Sequence, residues 1–248
     1  MTWLLIRGFT RDQRHWGAFA DVFAESMGDE VVCLDAPGFG TQAGRRSPRT
    51  MQAITDDFRH QLDAIRGDST WSVLGISLGG MVTMDWCSRY AEDFERAVVV
   101  NTSAADVSTI TSRFNPSAIV GLAQAVKGVE AKERAALAIS SNRDKAFLDD
   151  LSRQWAVFQR ERPPSRGSVP SQAMAAARFR LPAHVEPPLL VLGSRGDRLV
   201  SYRCAEDIAQ RLGAELRLHD DAGHDLPLDD PHWVCDQVRD WVSGLPRS

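Results

Sequence analysis

The chain has 248 residues, of which 43% are hydrophobic and 25% charged, and its formal net charge is −4 at pH 7. This length and apolar content are sufficient for one domain with a sizeable core. The negative charge argues against general nucleic-acid binding, and no run approaches the roughly 18 apolar residues of a membrane span. The four cysteines lack zinc-site or C-x-x-C spacing, which favours reduced, buried thiols in a cytoplasmic protein.

The first part of the chain alternates strand and helix patterns. A short apolar run at residues 3–6 predicts a buried strand rather than a signal peptide. The elements that follow are, in order, a helix at 16–27, a strand at 30–34, an amphipathic helix at 50–65, a strand at 72–74, a helix at 78–90 and a valine-rich strand at 96–101.

The rest of the chain contains a helical segment flanked by strand patterns. Helices are expected at 116–126, 130–139, 146–159 and 171–179, with a proline-rich loop at 163–170. A strand at 187–192, a helix at 202–212, a strand at 215–218 and a final helix at 231–242, capped by Asp230, complete the pattern. The sequence therefore predicts an α/β fold with a doubly wound, mostly parallel sheet. Residues 1–105 and 187–248 form its core, and residues 106–186 form an inserted all-helical lid.

The stretch Gly75-Ile-Ser77-Leu-Gly79 lies between a predicted strand and a predicted helix, the setting in which G-x-S-x-G can be a nucleophile turn. Such a turn strains the serine backbone and leaves no space for side chains at Gly75 and Gly79. The following helix points free N–H groups at the site, so Leu78 can donate one to an oxyanion. The alternative is a glycine-rich turn that contains a serine by chance.

Two polar residues follow later strand patterns. Asp197 ends one of them, and His224 follows the next. Histidine, with an ordinary pKa of about 6.5, can take a proton from a serine hydroxyl near neutral pH, and an aspartate can fix its tautomer. Asp106, which follows an earlier strand, is the rival acid. Asp220 and Asp221 lie too close to His224 in sequence and are expected in solvent or as caps.

The order Ser77, Asp197, His224 resembles the nucleophile–acid–base order of the α/β-hydrolase fold superfamily. Residues 35–40, Asp-Ala-Pro-Gly-Phe-Gly, resemble a second loop motif of that family. The chain is most similar to small bacterial carboxylesterases, typified by the pimeloyl-carrier-protein methyl ester esterases. The resemblance implies a catalytic triad of Ser77, Asp197 and His224.

Gly8, with Trp16 eight residues later, resembles the oxyanion loop of the same family. The resemblance implies an oxyanion hole formed by the backbone N–H groups of Phe9 and Leu78, and it places Gly8 and Arg7 among the substrate-binding residues. Arg7 stands where the family usually has histidine. It could place a positive charge near the pocket mouth, or it could lie on the surface.

The predicted lid is less informative. Leu148, Leu151, Trp155 and Phe158 form an apolar stripe at helical spacing, which either packs the lid on the body or lines an acyl pocket. In the second case Trp155 is a substrate-binding residue. Residues 106–186 carry a net charge of +4, against −8 for the remainder. This asymmetry could steer an anionic substrate or partner, or it could be a mixed, solvated surface.

We therefore expect a serine hydrolase that cleaves a carboxylic ester or thioester through an acyl-enzyme intermediate, without cofactor or metal. Its substrate is a small-molecule ester or thioester, which an acidic acyl carrier protein could carry. We expect no nucleic-acid or membrane partner, and a monomer or homodimer. The alternatives are a C–C bond hydrolase or lyase whose arginines converge on an anionic metabolite, and a slow-turnover ligand receptor of the same fold. Among the other histidines, only His15, in the predicted oxyanion loop, is a secondary candidate.

Overall fold

The computed structural model describes residues 1–115 and 128–245. Its sheet has six strands in the order β2-β1-β3-β4-β5-β6, and every neighbouring pair is parallel. The strands are β1 (Thr2–Ile6), β2 (Glu30–Leu34), β3 (Trp71–Ile76), β4 (Ala97–Val100), β5 (Leu189–Ser194) and β6 (Glu215–His219). The predicted α/β class is confirmed.

Helices connect the strands. They are α1 (Phe19–Met27), α2 (Met51–Asp63), α3 (Leu78–Arg89), α4 (Ile110–Arg113), α5 (Val129–Ser140), α6 (Lys145–Glu161), α7 (Ser168–Arg178), α8 (Arg203–Leu212), α9 (Leu226–Asp229) and α10 (Pro231–Gly244). Short 3-10 helices lie at Gln13–Trp16, Gly40–Gln42 and Ala91–Asp93. The helix predicted at 116–126 lies outside the described residues. No helix of the described ranges is long and apolar enough to cross a membrane.

Two helices begin three residues away from the predicted start. The helix predicted from residue 16 begins at Phe19, because Gly17, with a φ of 54°, ends a 3-10 helix just before it. The helix predicted from residue 171 begins at Ser168. Pro170 therefore lies in its first turn, where a backbone N–H would have no helical partner to lose. The four-residue helices α4 and α9 were not predicted from the sequence.

The sheet is covered on both faces, as its apolar strands predict. Successive side chains of a strand point to opposite faces. In β1, Leu4 and Ile6 join one hydrophobic cluster with α2 and α3, whereas Trp3 and Leu5 join another with α1 and α10. This double packing fixes the carboxyl ends of the strands, where the candidate site residues lie.

The helices α5, α6 and α7, called the lid helices below, lie between β4 and β5 in the chain and rest on the loops at this edge of the sheet. Glu133 of α5 forms an ion pair with Arg11, and the carbonyl of Phe158 in α6 accepts from Arg14 at 2.9 Å. Side chains of the body therefore anchor the lid helices directly beside the candidate site.

Candidate active site

Ser77 lies between β3 and α3 with φ 57° and ψ −116°. A positive φ is unfavourable for a residue with a side chain and persists only where neighbours enforce it. Here the Ser77 N–H donates to the carbonyl of Val100 at 2.8 Å, and the Thr102 hydroxyl donates to the carbonyl of Ser77 at 2.7 Å. The chain therefore makes the sharp strand-to-helix turn that the motif predicts, and Ser77 remains partly exposed.

Close backbone contacts explain the glycines around Ser77. A Cβ on Gly75 would lie 2.3 Å from the carbonyl oxygen of Gly79, and a Cβ on Gly79 would lie 2.2 Å from that of Ile6. Neither distance admits a side chain. A Cβ on Gly8 would lie 3.1 Å from the Cβ of Ser77. The loop after β1, the predicted oxyanion loop, therefore passes directly beside Ser77.

His224 and Asp197 form a hydrogen-bonded pair. His224 Nδ1 lies 2.7 Å from Asp197 Oδ2, and the Asp197 side chain is fully buried. Its other oxygen accepts the backbone N–H groups of Leu199 and Val200 at 2.7 and 2.9 Å. Burial alone would lower the pKa of His224, but the charge and hydrogen bond of Asp197 outweigh it and raise that pKa above its ordinary value. The pair can orient the imidazole and stabilise its protonated form.

The rival carboxylates lie elsewhere. Asp106 accepts the backbone N–H of Leu181, in the segment that follows α7, at 2.8 Å. The side chains of Asp220 and Asp221 are 95% and 92% exposed. Asp197 is therefore the carboxylate of this set that is hydrogen-bonded to the His224 ring.

Asn101, which follows β4, connects the backbone around Ser77 with the His224 loop. Its side-chain amide donates to the carbonyls of Gly223 and His224 at 3.2 and 2.9 Å, and it is next to Val100, which accepts from Ser77. Its φ of 45° is one that asparagine tolerates better than most residues.

Within the described chain, no hydrogen bond joins the Ser77 hydroxyl to His224. Sequence reasoning missed Asn101, although an asparagine at a strand end was a usable signal.

The two predicted oxyanion donors lie on different elements. Leu78 is the first residue of α3, so its N–H has no partner in the helix. Phe9 lies in the loop after β1, where the next residue, Thr10, has a φ of 62°. The Thr10 N–H donates to the side-chain oxygen of Gln172 at 3.1 Å, and Gln172 is fully buried in α7. The sequence did not predict this contact, because a helical pattern alone does not show which polar residue faces a distant loop.

Arg7 is buried and paired. Its Nη1 and Nη2 atoms donate to the two carboxylate oxygens of Asp225 at 3.0 and 2.6 Å, and its guanidinium lies 4.7 Å from the ring centre of Trp16. Burial would raise the pKa of Asp225, but the charge and hydrogen bonds of Arg7 lower it below the ordinary value. Of the two alternatives for Arg7, the surface position is wrong, because only 6% of the residue is exposed. Its positive charge is paired with Asp225 and is therefore not free at a pocket mouth.

Trp155 is 2% exposed and lies in the hydrophobic cluster of the lid helices with Leu148. Its ring meets the ring of His15 edge-on at 4.8 Å, and the Arg11 guanidinium lies 4.5 Å from its centre. His15 Nδ1 accepts the backbone N–H of Asp12 at 3.1 Å, and burial lowers its pKa. These contacts support the packing interpretation of the apolar stripe and a structural role for His15. A substrate contact by Trp155 stays a prediction.

Residues 3–237 match the alpha/beta hydrolase family, so the chain belongs to that family and is an enzyme of the hydrolase class. It is 27% identical to a pimeloyl-[acyl-carrier protein] methyl ester esterase of Aromatoleum aromaticum, across 97% of this chain and 98% of the relative. It is 32% identical over 106 residues to the biotin biosynthesis bifunctional protein BioHC of Teredinibacter turnerae. That match covers 40% of this chain and 17% of the relative, so the chain spans only a small part of that protein.

Solved structures show the same fold. A hydrolase from Pseudomonas aeruginosa superposes with a TM-score of 0.76 over 98% of this chain and 90% of the other, at 20% sequence identity. The carboxyl ends of β3, β5 and β6 therefore carry Ser77, Asp197 and His224 on a hydrolase scaffold.

Proposed function

We propose that this hydrolase cleaves a carboxylic ester or a thioester through an acyl-enzyme intermediate on Ser77. The observation that carries the proposal is the 2.7 Å hydrogen bond between His224 and Asp197, at the sheet edge where the strained Ser77 turn also lies. A serine hydroxyl becomes a useful nucleophile when a positioned base takes its proton. The esterase from Aromatoleum aromaticum, matched along nearly its whole length, supports the ester class.

The proposed reaction has two halves. Ser77 Oγ attacks the carbonyl carbon while His224 Nε2 takes the hydroxyl proton, and the N–H groups of Phe9 and Leu78 hold the resulting oxyanion. The bond to the leaving alcohol or thiol then breaks, and His224 returns the proton to it. Water attacks the acyl-enzyme with His224 again as base, which releases the acid and restores Ser77. Asp197 stabilises the imidazolium in both halves.

The lyase or C–C hydrolase alternative gains no support from Arg7, Arg11 or Arg113. It requires cationic side chains free to hold an anionic metabolite. Arg7 is paired with Asp225, Arg11 is paired with Glu133, and Arg113 donates to the carbonyl of Ala176 at 2.8 Å. The receptor alternative differs from the proposed enzyme only in turnover, so a rate measurement separates the two.

Hydrolysis of p-nitrophenyl esters from two to twelve carbons tests the proposal. We expect turnover that peaks at one chain length and falls by about 10⁶-fold in Ser77→Ala, because removal of the nucleophile removes the acyl-enzyme route. Ser69→Ala, an exposed serine before β3, is the matched control and should retain the parent rate. Tight ligand binding without turnover on any ester would favour the receptor.

We further propose that an acyl carrier protein can present the substrate. Arg162 and Arg166 are exposed in the segment between α6 and α7, on the predicted lid, which carries a net charge of +4. Arg162→Glu and Arg166→Glu should raise the KM for a pimeloyl methyl ester on an acyl carrier protein and leave the KM for the free methyl ester unchanged. An equal change for both substrates would contradict the carrier.

A further inference from the structure

One buried ion pair joins the two loops that contain the predicted oxyanion donor and the predicted base. Arg7 directly precedes Gly8 and Phe9, and Asp225 directly follows His224. The two side chains are 5% and 6% exposed and meet through two parallel hydrogen bonds of 3.0 and 2.6 Å. A bidentate arginine–carboxylate pair fixes orientation as well as distance.

Both ends of this pair are themselves held in place. The guanidinium of Arg7 lies over the ring of Trp16 at 4.7 Å. The backbone N–H of Asp225 donates to the carbonyl of Ser140, the last residue of α5, at 2.7 Å. The pair therefore connects the loop after β1, the loop after β6 and the first of the lid helices.

We propose that the Arg7–Asp225 ion pair is a positioning element that holds Gly8 and Phe9 in register with the loop that carries His224. This inference rests on the proposed function, since it assigns the pair a task only if Ser77 and His224 perform the chemistry. Neither Arg7 nor Asp225 is a catalytic residue in this account. Their task is to keep the oxyanion donor and the base in one fixed relation, because small displacements of such groups reduce rates strongly.

The pair also sets a charge balance beside His224. Asp225 raises the pKa of His224 and Arg7 lowers it, so each charge offsets the other in the intact pair. The further charged groups that face this region are Asp197 on the His224 ring, Arg11 near Asp225, and Asp229, whose carboxylate accepts the Gly223 N–H. Removal of one partner would leave the charge of the other to act on the pKa of His224 without compensation. The sign of the resulting shift therefore depends on which partner is removed.

The test is the pH profile of kcat/KM per active site, with sites counted by fluorophosphonate labelling so that unfolded protein does not contribute. Asp225→Asn should move the acid limb to lower pH, and Arg7→Met should move it to higher pH, each by about half a unit or more. Arg7→Lys keeps the charge but loses the two-fold hydrogen bonding. This variant should leave the acid limb at the parent pH, because the charge beside His224 is kept. It should lower the plateau kcat/KM about tenfold, because the oxyanion donor and the base are no longer held in one fixed relation.

Each single variant that removes one charge leaves the other buried and unpaired, which destabilises the fold. The double variant Arg7→Met/Asp225→Asn removes both charges, so it should fold. The acid limb of its kcat/KM profile should return to the parent pH, while its plateau value of kcat/KM should stay low, as in Arg7→Lys. If the double variant and Arg7→Lys both had the plateau kcat/KM of the parent, the inference would be overturned. Ser77→Ala separates the two proposals: if it retains turnover, the proposed function fails. If it loses turnover while the pair variants match the parent, only the positioning role fails.

Discussion

The loops at the sheet edge and the lid helices hold their site residues in different ways. At the sheet edge, backbone groups hold the proposed nucleophile and acid: Ser77 donates its N–H to the carbonyl of Val100, and Asp197 accepts two backbone N–H groups. In the lid helices, side chains supply several of the contacts to the sheet loops, such as Glu133 to Arg11 and Gln172 to the Thr10 N–H.

This difference shows which substitutions each region tolerates. Backbone contacts at the sheet edge demand particular residue types, because a Cβ on Gly79 would lie 2.2 Å from the carbonyl oxygen of Ile6. The Gln172 contact is made by a side chain, so we expect its loss to displace a loop without moving a strand. We therefore expect substitutions at the sheet edge to affect the reaction itself, and substitutions in the lid helices to affect how the loops are held.

The largest expected effect is at the sheet edge. Asp197→Asn should lower kcat by about 10⁴-fold, because the amide favours the wrong tautomer of His224 while the geometry is preserved. Asp106→Asn is the matched control, since Asp106 bonds to the Leu181 N–H rather than to His224. Steady-state hydrolysis of the best p-nitrophenyl ester measures both. Full activity in Asp197→Asn would contradict the proposed triad.

The second largest effect is expected for a substitution that breaks the contact between a lid helix and the predicted oxyanion loop. Gln172→Ala removes the acceptor of the Thr10 N–H and should lower kcat by about 10-fold to 100-fold through displacement of Phe9. Gln154→Ala, an exposed glutamine of α6, should match the parent in the same assay. If both variants match the parent, the lid helices do not influence the oxyanion loop.

The third effect concerns stability. Trp155→Ala should lower the free energy of unfolding by about 3–5 kcal/mol, because it leaves a cavity in the cluster of the lid helices and removes the contact with Arg11. Urea titration measures the change. Val157→Ala, at a 42% exposed site on the same helix, should change it by no more than about 0.5 kcal/mol. A small change in Trp155→Ala would instead favour a substrate-lining role.

The smallest expected effect is a loss of activity at low pH. His224 has a pKa above its ordinary value, and only its neutral form can accept the Ser77 proton. Activity should therefore be present at higher pH and be lost as the pH falls through a midpoint above about 6.5, the ordinary histidine value. The acid limb of kcat/KM on a non-ionising ester measures this midpoint. A midpoint well below that value would show that His224 is not the titrating base.

The sequence predicted the sheet edge better than the lid helices for a physical reason. Ser77 and His224 lie in short motifs whose residue types are set by local backbone geometry, which a sequence displays directly. The contacts of Asp225 with Arg7 and of Gln172 with Thr10 span 218 and 162 residues, and no local pattern shows such partners. For Arg7 the departure from the usual histidine was visible in the sequence, but its partner was not.

The most direct test of Ser77 as the nucleophile is to find the site of covalent labelling by a fluorophosphonate, by mass spectrometry of the intact and digested protein. We expect one adduct per chain, on the peptide that contains Ser77. The labelling rate should fall sharply in Asp197→Asn, and Ser77→Ala should form no adduct. Turnover that persists in Ser77→Ala, or an adduct on another residue that abolishes activity, would contradict a serine nucleophile at the β3–α3 turn.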